Sequence, residues 1–122
     1  MSIPQTLLAA DRADALSLSH ALQKSDAGIV SRTLLQSPEL GVMLFAFAEG
    51  QELTLHTNRR RALVQVHEGS GDFFYNDQWQ RLAAGTVLHL PPDHPHAVKA
   101  GAGPFSLLLT LGSDAAPAPV SP

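Results

Sequence analysis

The chain has 122 residues, a net charge of −3 and no cysteine. That length suits one domain with a real core, and the missing thiols exclude disulfide frameworks, thiolate catalysis, iron–sulfur clusters and Cys-type zinc sites. The negative balance argues against a nucleic-acid binder held through phosphates. No apolar run reaches the ~18–20 residues of a membrane helix. The N-terminus shows no basic region followed by an apolar stretch and a cleavage site, so no signal segment is expected and the cytoplasm is the default location.

Residues 1–27 mix leucines with Asp, Ser and Ala, and predict an N-terminal segment with one short helix around Asp14–Gln23. From Gly28 the texture becomes extended. Ile29–Leu35 reads as a strand, Pro38-Glu39 as a turn, and Leu40–Ala48 as a strand that is apolar at nearly every position. Leu53–His56 and Ala62–Glu68 are the next strands, separated by a loop holding Arg59, Arg60 and Arg61. Asp72–Tyr75 and Gln78–Leu82 flank Asn76-Asp77, two residues that tolerate positive φ, which predicts a tight hairpin. Thr86–Leu90, Ala97–Ala100 and Phe105–Leu111 complete about nine short strands with Gly/Pro/Asn punctuation. The expectation is an all-β sandwich or barrel over 28–112, followed by a disordered Pro/Ala-rich tail over 113–122.

The histidines cluster. His56, His67, His89, His94 and His96 fall within one stretch of the chain, and histidine is the commonest metal ligand and the side chain that titrates near neutrality. His89 alternates with Leu88 and Leu90 and is expected on the outer surface, as is His67 beside Glu68.

Gly50, His56 and Gly69, followed by Gly85, Pro91 and His96, resemble the two cupin motifs, G-x5-H-x-H-x3,4-E-x6-G and G-x5-P-x-G-x2-H-x3-N, and the piece GTVLHLPPDHPHAV is similar to cupin sequences. The resemblance covers roughly residues 40–111. It implies a double-stranded β-helix, or jelly-roll, barrel enclosing a small-molecule site. It also implies a divalent metal (Zn, Ni, Fe, Mn or Co) at the positions of His56, Asn58, Ala62 and His96. Two of those positions depart from the family's three-His, one-Glu set: Asn58 offers a neutral amide and Ala62 offers nothing. Asp93 stands where the second motif has Gly, and Ala100 where it has Asn. His94 is two residues from His96, so in an extended chain both share a face. A three-His site of His56, His94 and His96 would repair the loss.

Arg61 near the barrel mouth is a candidate grip for a substrate carboxylate or phosphate, and Tyr75 a candidate substrate contact. Phe45, Phe47, Phe73 and Trp79 are expected mainly in packing, with some lining the cavity. Three functions stay open: a metal-dependent enzyme on a small polar or acidic molecule, a binding or sensing domain without metal, and a metal-free His acid–base enzyme of epimerase type, for which Asp93 is the candidate orienting carboxylate. The runs LGVMLFAFA and FSLLLTL are apolar on both faces. That suggests a homodimer formed by sheet packing, the alternative being that the N-terminal segment covers this face.

Overall fold

A computed structural model describes residues 6–112, so the expected disordered tail lies outside the described residues. Among the described residues nine strands follow one helical turn. The turn is α1 (Leu18–Ala21), and the strands are β1 (Ile29–Gln36), β2 (Leu40–Phe47), β3 (Glu52–His56), β4 (Ala62–Glu68), β5 (Ser70–Tyr75), β6 (Gln78–Ala83), β7 (Val87–Leu90), β8 (His96–Ala100) and β9 (Phe105–Gly112). They form two antiparallel sheets, β1-β2-β9-β4-β7 and β3-β8-β5-β6. The double-stranded β-helix expected from the motifs is the observed fold. No helix among the described residues is long and apolar enough to cross a membrane.

Alternation builds the core. In β4 the burial pattern puts Ala62, Val64 and Val66 inside and Leu63 and Gln65 outside. In β7 Leu88 and Leu90 are buried and His89 is exposed, as its place between two leucines predicts. The inner faces meet in a cluster that includes Phe47, Val66, Phe73, Phe105 and Leu107. The Phe105 ring packs at 5.0 Å from Phe47 and 6.0 Å from Phe73, centroid to centroid, within the range of favourable tilted and edge contacts.

The turns follow their residues. Asn76 and Asp77 take φ of 52° and 63°, the two left-handed positions of a type I′ hairpin, and they join β5 to β6 with Tyr75 opposite Gln78. Gly69 has φ of +74°, and a Cβ there would collide with the Pro104 carbonyl oxygen. The chain passes from one sheet to the other at this single residue, so β5 pairs from Ser70, earlier than the sequence indicates. Asp93, the residue that replaces a motif glycine, holds φ of 63°; Asp is one of the few side chains that tolerate this region.

The N-terminal helix is shorter than expected. Ser17 caps it by accepting from the His20 amide at 3.4 Å, and Leu22 is already extended. One turn cannot sustain itself; packing holds it. Leu16, Leu18, Ala21 and Leu22 cover Leu34, Val42, Leu44 and Leu108 on the outer face of the five-stranded sheet. The Leu8 amide donates to the Leu34 carbonyl at 2.7 Å, and Arg32 donates to the Ala21 carbonyl at 2.9 Å. A segment of the same chain therefore occupies the part of the second apolar face of β2 and β9 around Leu44 and Leu108.

Candidate functional site

β3 and β8 are neighbours in the four-stranded sheet, and their register sets His56 directly opposite His96. The two rings lie 4.2 Å apart with an interplanar angle of 61°. Each Nδ1 donates to the carbonyl two residues earlier in its own chain: His56 to Thr54 at 2.7 Å, and His96 to His94 at 2.8 Å. A carbonyl oxygen only accepts, so Nδ1 carries the hydrogen, and in the neutral ring Nε2 is left with a bare lone pair. His96 is half-buried; burial lowers its pKa from the usual 6.5, the hydrogen bond to the His94 carbonyl opposes that shift, and the nearby His56 and His94 add to it. His56 is exposed.

Both rings border a cavity of about 60 Å³ between the sheets, whose other walls are Phe45, Leu53, Val64, Phe73, Leu88, Leu90, Val98, Leu107 and Leu109. The lining holds no Asp, Glu, Lys or Arg. Of the aromatic residues weighed from sequence, Phe45 and Phe73 reach this wall. Trp79 stands 51% exposed, its ring tilted against Phe74 at 5.5 Å. The aliphatic wall is a pocket surface that residue chemistry alone did not single out; its signal is the inward parity of Val64, Leu88, Leu90, Leu107 and Leu109.

The other candidates lie elsewhere. His94 contributes its backbone carbonyl to His96, and its side chain is outside the cavity lining. Asn58 uses Oδ1 to accept from the Arg60 amide at 2.8 Å and its carbonyl to accept from the Asp93 amide at 2.7 Å; it ties the loop before β4 to the loop before β8. Arg60 caps the end of β9, donating to the carbonyls of Gly112 at 2.9 Å and Leu111 at 3.1 Å. Arg61 donates from Nη1 to Nε2 of His89 at 2.7 Å. His89 is on the outward side of β7, so this pair is on the outer surface, and Arg61 is not part of the cavity lining. Tyr75 packs against the core from the side, outside the cavity lining.

The metal implied by the motifs does not fit these residues. Among the described residues no group of three or more His, Cys, Asp or Glu is placed to hold an ion, so the three-His set is not assembled. Zinc-type sites take three or four protein ligands; here two imidazoles converge, while the position of the family's glutamate is Ala62, buried at 3% exposure in an apolar strand pair with Leu90 and Leu111.

Comparison with known proteins agrees with the geometry. The family model of the AraC-like ligand binding domain matches residues 41–111. A cupin superfamily protein from Desulfitobacterium hafniense superposes with a TM-score of 0.76 at 24% identity, over 93% of this chain and all of that one (100%), which shows the fold. An RmlC-like cupin from Desulfovibrio desulfuricans matches at 27% identity and TM-score 0.74, over 84% of this chain and 98% of that one. A cupin 2 conserved barrel domain protein from Leptotrichia buccalis matches at 30% identity and TM-score 0.74 over 80% of this chain, which spans 47% of that longer protein. No curated protein matches. A family match across most of the barrel, joined to a two-sheet fold with an apolar cavity between the sheets, makes this chain a small cupin that belongs to the AraC-like ligand binding domain family.

Proposed function

We propose that this ligand-binding domain acts as a metal-independent receptor for a small molecule, taken into the cavity between the sheets, with the His56–His96 pair as its polar contact. The observation that carries this reading is the composition of the wall: two imidazoles against nine apolar side chains, with no carboxylate. Such a site can desolvate and orient a ligand. It lacks the third ligand that metal chemistry needs. It also lacks the carboxylate that would orient a histidine for proton transfer, because the backbone carbonyls of Thr54 and His94 take that place. Binding is therefore favoured over the metal-dependent and the acid–base readings.

The test is elemental analysis of untagged protein purified without chelators, paired with thermal-shift screening of small organic molecules. Substoichiometric metal, even after Zn, Ni, Fe, Mn or Co is added back, together with ligands that raise the melting temperature of the native chain but not of a His96→Ala variant, is the expected result. Stoichiometric metal lost on His56→Ala would overturn it.

A further inference from the structure

The polar side chains of the cavity lining are of one kind, the imidazoles of His56 and His96. Nδ1 of His56 and of His96 is already donated to a strand carbonyl, and Nε2 of neither ring has a hydrogen-bond partner among the described residues. A neutral imidazole in this tautomer offers Nε2 as an acceptor only. From these facts we infer that the ligand is a compact, mostly apolar alcohol or phenol whose single hydroxyl donates to Nε2 of His96 while its hydrocarbon part fills the space beside Leu53, Val64, Phe73 and Leu107. This rests on the reading of the cavity as the binding site and narrows it to a ligand class.

The alternatives meet the same wall less well. A carboxylate would leave water for a cavity with no Lys or Arg in its lining, and an uncompensated charge is the costliest group to bury. Arg61, the cation weighed from sequence as a substrate grip, donates to His89 on the outside of the sheet. A sugar would bring several hydroxyls against leucine, valine and phenylalanine side chains, which accept nothing, and each unmatched hydroxyl is penalised. A plain hydrocarbon would match the walls and leave Nε2 of half-buried His96 unanswered. One hydroxyl on an apolar body satisfies both kinds of surface. His96 is named as the acceptor because it is the more buried ring; His56 is exposed and keeps its hydration.

Phenol, toluene and benzoate share a ring and differ in the group under test. The intact chain is titrated with each at pH 7.5 while the methyl signals of Leu53, Val64 and Leu107 and the imidazole nitrogen signals are followed by NMR. Phenol is expected to shift the cavity methyls and the Nε2 resonance of His96, and to bind about tenfold more tightly than toluene, the discrimination of one hydrogen bond. In a His96→Phe variant phenol and toluene should bind alike. Toluene matching phenol in the native chain, with the same methyl shifts, would refute the hydroxyl assignment and leave the cavity as a binding site. Tighter binding of benzoate would refute it in favour of an anion. If none of the three moves a cavity methyl, the binding-site reading falls with it.

Discussion

The ring of Phe105 occupies the space that a side chain on Gly71 would need: a Cβ there would lie 2.5 Å from Cζ of Phe105. Gly71 is buried and paired with Ala100 and Leu82, and Phe105 is the aromatic residue that meets both Phe47 and Phe73. A methyl group at position 71 must push this ring out of the core centre. Gly71→Ala is expected to lose about 1–3 kcal/mol of stability, the usual cost of overpacking. Chemical denaturation of the two proteins measures it; an unchanged midpoint would mean the ring has room to move.

Acid should weaken the fold through His96. Burial lowers its pKa below 6.5 in the folded chain, whereas the unfolded chain titrates at the ordinary value. The unfolded state therefore takes up the proton first. Above the unfolded value both states are neutral at this ring and it contributes no pH dependence. As pH falls through 6.5 stability declines, and the decline levels off once the pH is below the folded value. Urea midpoints at pH 7.5 and 5.5 should therefore differ more in the native chain than in a His96→Gln variant. An equal drop in both would assign the acid sensitivity to another group.

The N-terminal segment is expected to be part of the barrel's stability. It covers Leu34, Leu44 and Leu108, which form an apolar patch on the outer sheet face, and Lys24 pairs with Glu68 at 3.1 Å beyond it. Removing residues 1–24 should lower the melting temperature on the order of 10 °C, and the uncovered face should drive self-association. Calorimetry and light scattering of the truncated and intact chains report the two effects. A truncated chain that melts with the intact one and keeps its size would show that the covering leucines contribute little.

How far the sequence could be read depended on the kind of signal each feature leaves. Strand identity was legible because punctuation is local: Asn76-Asp77, Ala84-Gly85 and Pro91-Pro92 mark the strand ends, and alternation in β4 and β7 sets the inward face. The convergence of His56 and His96 was legible through the motif resemblance, since their meeting is a matter of strand pairing across the sheet and has no local signature. The apolar runs of β2 and β9 showed a face that needed covering, and their composition could not tell a second copy from residues 16–22. The placement of Arg61 was harder to read for a simpler reason. Near a strand end one residue of register decides which face a side chain takes, and Arg61 falls on the outer parity with Leu63 and His89. Asp93 stands in a left-handed position that family sequences give to glycine, a substitution readable as tolerable only once its φ of 63° is known.

The two empty ligand positions offer a constructive test of why the barrel lacks a metal set. Position 58 carries an amide engaged by the Arg60 backbone, and position 62 carries a methyl group packed in the core. The double variant Asn58→His, Ala62→Glu restores the family's donor types around His56 and His96. A glutamate at the buried position 62 has no cation to pair with in the cavity, so the variant should be less stable than the native chain when metal-free. Added Zn should recover that loss, because an ion that binds only the folded state stabilises it by mass action. The native chain should show no such response. Melting curves of both proteins with and without Zn, and with a chelator, measure the difference. A native chain that gains as much from Zn as the variant would show that His56 and His96 need no carboxylate to hold an ion. A variant that ignores Zn would show that positions 58 and 62 do not converge on the pair.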